Sequence, residues 1–285
     1  MARLRIGISG WSYRPWRKVF YPADLPVDSE LHFASRQFNT IELNASFYRL
    51  QRPENYREWR QRTPPGFVFA VKAPRFLTHV KRLKDLDEPL SVFLASGPLE
   101  LGAKLGPLLW QLPPNFRYDR ERIEAFMADL PRRGADALAI AGRHAKVSTT
   151  EAFKQQRLRH ALEVRHESFL DEDFIRLARD YGVAVVVSDG AGRWPMIHDV
   201  TAGFMYVRLH GENKLYGGRY SDASLDAWAR KIDAWRHGDQ PADTGLILRP
   251  GAPRRQTRDV YVYFDNDTKV DAPFDAQRLI GRLDG

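Results

Sequence analysis

Five short stretches place polar, mostly charged residues at alternate positions between apolar ones. Glu42 and Asn44 alternate with Ile41 and Leu43, and Ala70 and Lys72 with Phe69 and Val71. Glu163 and Arg165 alternate with Leu162 and Val164, Arg208 and His210 with Val207 and Leu209, and Tyr263 and Asp265 with Val262 and Phe264. Side chains of an extended strand point alternately to its two faces. Each stretch thus turns an apolar face one way and a polar face the other. Together the polar faces hold what acid–base catalysis needs. Glu163 or His210 would act as general acid and base, while Lys72, Arg165 and Arg208 stabilise developing negative charge, with Glu42 and Asp265 beside them. The competing reading is an ion network that only orders the core, with Glu163 paired to Arg165 or Lys72 to Glu42. Buried pairs stabilise poorly compared with apolar packing, and charges are rarely buried without a reason, so a cluster of this size favours function.

Glu42, Glu163, His210 and Asp265 are hard, metal-compatible ligands. The cations interleaved with them argue against a metal, and the expectation is no metal and no cofactor. There is no H-E-x-x-H. Gly97 and Gly102 have P-loop spacing, but Ala103-Lys104 follows where Lys-Ser/Thr is needed. Gly7-Ile8-Ser9-Gly10 is not the G-x-S-x-G nucleophile elbow.

The segments after the polar stretches add ligand-facing chemistry. Trp11, Tyr13, Trp16, Phe20 and Tyr21 follow the first strand, and Ser46, Phe47 and Tyr48 the second. Aromatic walls of this kind suit sugar rings or bases, and equally a packed lid. Gly211 to Tyr220 carries Lys214, Tyr216 and Arg219 among glycines that let a backbone approach a ligand closely. An anion site in this loop competes with a mobile surface loop.

The elements that must position these residues alternate along the chain. Strands are predicted at Leu4–Ser9, Thr40–Asn44, Phe67–Ala73, Gly106–Leu112, Ala161–His166, Val183–Asp189, Phe204–His210 and Val260–Asp265. Between them run amphipathic helices. Asp28 caps one bearing Leu31, Ala34 and Phe38, and Pro53 opens another with Tyr56 and Trp59. Ile123, Phe126, Met127 and Leu130 share a face, as do Phe174, Leu177, Ala178 and Tyr181 before Gly182. Leu225 to Trp235 repeats the spacing, and Pro273 opens a last helix through Leu283. Such alternation implies an α/β fold, a single (β/α)8 TIM-type barrel over 1–285, whose polar residues gather at the C-terminal mouth. Arg132–Arg159 is too long for a plain crossover and reads as an insertion, with Ala137–Ala141 helical. The basic stretch Arg249–Arg258 enters a strand from its N-terminal end and reads as a solvated loop.

The chain of 285 residues is 43% hydrophobic and carries a net charge of +8, which favours anionic partners. It has no cysteine, which excludes disulfides, thiolate metal sites and a cysteine nucleophile. No secretory signal and no apolar run of membrane-spanning length is visible, so a cytoplasmic protein without membrane contact is expected.

Several of these motifs together resemble the domain-of-unknown-function 72 family, also called YecE-like. They are Gly10-Trp11-Ser12-Tyr13 with Trp16 and Phe20-Tyr21-Pro22, Ile41 through Tyr48, Lys72-Ala73-Pro74 with Thr78-His79, and Leu109-Trp110-Gln111-Leu112-Pro113-Pro114. Glu163-Val164-Arg165-His166, Tyr206 through Gly211, and Tyr263-Phe264-Asp265-Asn266-Asp267 complete the set. The resemblance spans nearly the whole chain and implies a TIM-type barrel, without an activity to carry over. Phe169 stands where many relatives have Trp after the Arg-His pair, a detail of packing. A looser similarity, by fold analogy, links such barrels to the metal-dependent endonuclease-four and xylose-isomerase group. The candidate substrate-binding set is Trp11, Tyr13, Asn44, Tyr48, His79, Gln111, Arg208, Tyr216, Arg219, Tyr263, Asn266 and Asp267. Three functions compete: an enzyme acting on a small anionic or sugar-phosphate-like molecule, a nucleic-acid binder or nuclease, and a non-catalytic anion sensor. The substrate, the reaction and any oligomeric partner are not written in these residues.

Overall fold

Nine parallel strands form one sheet in the computed structural model, which describes residues 2–145, 147, 149–242, 244–252, 255–266 and 270–283. The strands are β1 (Leu4–Ser9), β2 (Thr40–Leu43), β3 (Val68–Lys72), β4 (Leu105–Gln111), β5 (His160–Glu163), β6 (Ala184–Val185), β7 (Val187–Asp189), β8 (Phe204–Leu209) and β9 (Asp259–Phe264). They lie in the order β6-β5-β4-β3-β2-β1-β9-β8-β7. The two ends of that order, β6 and β7, are consecutive in sequence with only Val186 between them. The sheet therefore curls round on itself into a nearly closed barrel. The strand predicted over Val183–Asp189 is divided: its first half pairs with β5 and its second half with β8.

The two-residue alternation decides what lies on each side of the sheet. Ile41, Leu43, Phe69, Val71, Leu162, Val164, Val207, Leu209, Val262 and Phe264 all join the large apolar core shared with the helices. A second, smaller core fills the barrel. Its large rings, Phe204, Tyr206, Tyr261 and Tyr263, come from β8 and β9, while Ala70, Ala161 and Ala184 come from strands across the lumen. Large residues opposite small ones fill a narrow lumen without voids. The charged layer sits above this plug, at the C-terminal ends of the strands.

Helices carry the chain back between strands. Glu30–Gln37 begins after Ser29, one residue later than a cap at Asp28 would give. Pro53–Arg62 has its proline in the first turn, as predicted. Glu172–Tyr181 ends on Gly182, whose left-handed backbone suits a residue without Cβ. The last helix, Asp271–Leu283, starts two residues before Pro273. The helix Asp87–Ala95 was not anticipated, although Leu90, Phe93 and Leu94 carry the helical spacing. Within 132–159 lie two helices, Gly134–Ala141 and Glu151–Gln155. The first docks on Asp87–Ala95, where Ser91 Oγ donates to Ile140 O at 2.6 Å. A Cβ on Gly134 would stand 1.9 Å from Phe153 O, so only glycine fits where the two short helices meet. Among the described residues no helix is long and apolar enough to cross a membrane.

Candidate active site

Arg208 is the hub of the charged layer. It faces inward from β8 one step above Tyr206 and is fully buried. Its Nε and Nη2 donate to Glu42 Oε2 and Oε1 at 3.0 and 2.8 Å. Its Nη1 reaches Glu163 Oε2 at 2.6 Å, and Nη2 also reaches Asp265 Oδ2 at 2.8 Å. The strands dictate this meeting. Glu42, Glu163 and Asp265 top β2, β5 and β9 on the inward face, and the rigid guanidinium fork offers donors toward all three.

Each carboxylate is satisfied further. Glu42 accepts from Ser9 Oγ at 2.9 Å and from Tyr206 OH at 2.6 Å. Glu163 Oε1 accepts from Arg165 Nε at 2.8 Å, with Arg165 Nη2 at 2.7 Å and Ser188 Oγ at 3.4 Å. His210 lies between them. Its Nδ1 stands 2.9 Å from Asp265 Oδ2 without the alignment of a full hydrogen bond, and its Nε2 is 3.7 Å from Glu163 Oε1.

These partners set the protonation states. Burial pushes the Glu163 carboxyl up, but Arg165 and Arg208 overcome it and hold the group well below the ordinary carboxylate range. Burial likewise opposes ionisation of Asp265, and Arg208 with His210 lowers it to about 2. Both groups are fixed carboxylates near neutral pH, with no proton to give and little tendency to accept one.

Lys72 differs from the rest of the layer. It stands on the inward face at the end of β3, nearly buried, with Nζ 4.0 Å from the centre of the Phe47 ring. It makes no hydrogen bond and no ion pair among the described residues. Burial, followed by repulsion from Arg208, lowers its pKa to about 8. Next to it His79 packs edge-on against Phe47 and is lowered to about 4, by burial and then by the Lys72 charge. Gln111, the register neighbour of Glu163, is buried with no hydrogen bond to its amide among the described residues. Asn44 Oδ1 is also buried without a partner. An unused amine and two unused amides thus border a saturated ion network.

The remaining predicted residues are distributed as follows. Tyr216 joins the site: its hydroxyl accepts from Arg165 Nη1 at 3.3 Å, and its ring stands edge-on to His210. Arg208, expected to hold substrate, directs its donors to carboxylates instead. Tyr263 lies below the charged layer with its hydroxyl 2.8 Å from Thr40 Oγ1, sealed in the lumen plug. Trp11 packs edge-on against Trp59, and Tyr13 donates to Ser9 O at 2.7 Å, so both brace the end of β1. Tyr48 is 75% exposed on the rim. Asn266 Nδ2 donates to Gly218 O and to Asp275, and the exposed Arg219 also turns toward Asp275, at 3.8 Å. Asp267 lies outside the described residues. Sequence reasoning missed Trp194, whose ring lies 4.0 Å from the Arg165 guanidinium and whose Nε1 donates to Ser188 Oγ at 2.8 Å. Its position in the segment after β7, at the mouth end of a strand, was the available signal. Among the described residues no group of three or more His, Asp or Glu is placed to hold a metal ion.

Comparison with known proteins places this arrangement in a family. The chain is 26% identical over 285 residues to the UPF0759 protein YunF of Bacillus subtilis, covering 98% of this chain and 94% of that one. It is 26% identical over 242 residues to the UPF0759 protein YecE of Escherichia coli, covering 83% of each. A crystal structure of a DUF72 family protein from Thermotoga maritima superposes with a TM-score of 0.74 at 24% identity, covering 99% of this chain and 100% of that one. Another DUF72 family protein, from Enterococcus faecalis, superposes with a TM-score of 0.71 at 16% identity, covering 99% and 96%. At such identities the superpositions speak for the fold alone. The pattern described as "Protein of unknown function DUF72" matches residues 5–285, and the chain belongs to that family.

Proposed function

We propose that the barrel mouth is an active site for acid–base chemistry on a small anionic, sugar-phosphate-like molecule, with Lys72 as the group that moves the proton. Taking 184–189 as one strand gives the (β/α)8 count, and active sites of such barrels lie at this end. The observation that carries the reading is the Lys72 amine, buried over Phe47 and without a hydrogen bond or ion pair among the described residues, beside three carboxylates that are all engaged. A structural lysine would pair with one of them. A group whose pKa lies near the working pH transfers protons best, and here that group is Lys72 rather than Glu163. Protonated, Lys72 binds an anionic substrate; neutral, it removes a proton. Gln111, Asn44 and His79 offer hydrogen bonds around it, and Arg165, stacked on Trp194, supplies fixed positive charge.

The test is a panel of sugar phosphates and small hydroxy or keto acids, with consumption followed by NMR. Parent protein should consume at least one, and Lys72→Met should slow it by about 100-fold or more. Glu163→Gln should also slow it, because neutralising that carboxylate disturbs both arginines. Turnover unaffected by Lys72→Met would remove the amine from the mechanism. Binding across the panel without turnover in the parent would make the protein a sensor.

A further inference from the structure

The opposite end of the barrel buries arginine too, and there four arginines share a cavity with one acidic side chain in its lining, Asp180. A cavity of about 350 Å³ is lined by Arg157, Arg179, Arg255 and Arg258, and also by Asp180. Arg157 precedes β5, Arg179 lies in the helix leading to β6, and Arg255 and Arg258 precede β9, so strands at their N-terminal ends converge on this point. Arg258 is 2% exposed. Among the described residues its Nη1 donates to the carbonyls of Trp235 and Asp239, at 3.4 and 3.2 Å, and its Nε is buried without a hydrogen-bond partner. Arg179 Nε donates to Val200 O at 3.0 Å, while its Nη2 is buried and unbonded. The carboxylate nearest Arg179 Nη2 is Asp199, at 3.9 Å. Both of its oxygens are taken by the amides of Ile247 and Leu248. Arg157 and Arg255 make no side-chain hydrogen bond and no ion pair among the described residues.

A guanidinium cannot shed its proton to escape burial. Carbonyl contacts orient it but do not neutralise it, and several neighbouring cations repel one another. Burial disfavours the charge on Arg179 and Arg258, and Arg255 adds repulsion to the latter, outweighing the attraction of Asp199 and of Asp239 respectively. A tetrahedral dianion would offset this excess of positive charge, since phosphate offers several acceptors to converging forks. From these four arginines around one cavity, against a single acidic side chain in its lining, we propose a phosphate-binding site on the N-terminal face, separate from the mouth. Its volume is that of a small-ligand pocket, which suits a phosphate monoester or a diphosphate group.

The site is tested by titrating the protein with sodium phosphate and sodium pyrophosphate against sodium chloride at matched ionic strength, by calorimetry and thermal shift. Arg157 and Arg255 are exposed and unbonded, so the double variant Arg157→Ala/Arg255→Ala should fold normally. It should bind pyrophosphate at least about 10-fold more weakly than the parent. Arg258→Lys keeps the charge and loses the fork, and should weaken binding less. Lys72→Met, at the other end, should keep the response, so failure of the mouth proposal would leave this one standing. Equal responses in parent and double variant would overturn the site, as would a response that vanishes in Lys72→Met alone. A short DNA duplex displaced by the double substitution, with no response to pyrophosphate, would instead mark a polyanion surface and overturn the small-ligand reading.

Discussion

The two ends of the barrel treat buried arginine in opposite ways. At the C-terminal mouth every side-chain nitrogen of Arg208 faces a carboxylate, and Lys72 stands beside this network with no hydrogen bond or ion pair among the described residues. At the N-terminal face Arg258 donates to carbonyls among the described residues, and it shares one cavity with three further arginines and the acidic Asp180. The lesson concerns where ligands are needed. A network that already balances its cations builds a rigid frame and leaves reactivity to whatever it does not bind, here Lys72. A set of cations in excess of its acidic neighbours is, on the proposal above, a place for an anion from outside.

The largest expected effect follows from removing the hub. Arg208→Ala strands three buried carboxylates and should cost about 3–5 kcal/mol or more of unfolding free energy at pH 7.5 in urea. Part of that loss should return at pH 5.5, where the stranded carboxyls take up protons. A loss under about 1 kcal/mol would erase the contrast between the ends. Acid acts on the same frame in the parent. A carboxyl whose pKa is depressed on folding adds stability above its unfolded value and surrenders it as pH falls through its folded value. For Asp265, ordinarily 3.8 and lowered to about 2, the window is pH 4 to 2 and the loss about 2 kcal/mol. Denaturation midpoints that stay flat through that window would contradict the pairing.

Lys72 works with the opposite sign. Its folded pKa lies below its ordinary 10.5, so the charged form costs stability below about pH 8 and the cost fades as pH rises toward 10.5. Lys72→Met should therefore stabilise the protein at pH 7, by about 1–3 kcal/mol, while abolishing turnover. Loss of stability would mean that the amine is paired after all. The smallest effect belongs to the N-terminal face. Arg157→Ala and Arg255→Ala should each change stability by less than about 0.5 kcal/mol in chloride, since neither side chain bonds to anything there. A larger loss would show that they are structural.

Much of this was legible in the sequence because period two is a property of the strand itself. It put Glu42, Lys72, Glu163, Arg208 and Asp265 on the lumen side, where they are found. The same rule gives the face and not the depth. Tyr263 shares the lumen side with Asp265 yet lies one layer lower, out of reach of a ligand. Nor does periodicity tell which charges neutralise one another across the barrel, which is why Arg208 read as an anion ligand. Trp194 and the arginines of the N-terminal cavity sit on connecting segments whose paths are set by tertiary packing, beyond the reach of a local pattern. The break at Val186 depends on which neighbour each half of that strand finds.

The central claim, that Lys72 is a free amine in a satisfied frame, is most directly tested by its own titration. Lysines labelled by reductive ¹³C-methylation can be followed by NMR from pH 6 to 12, with Lys72→Arg used to assign the resonance. The structure predicts that the resonance lost in Lys72→Arg has a midpoint near 8. A Lys72 midpoint in the ordinary range near 10.5 would contradict it.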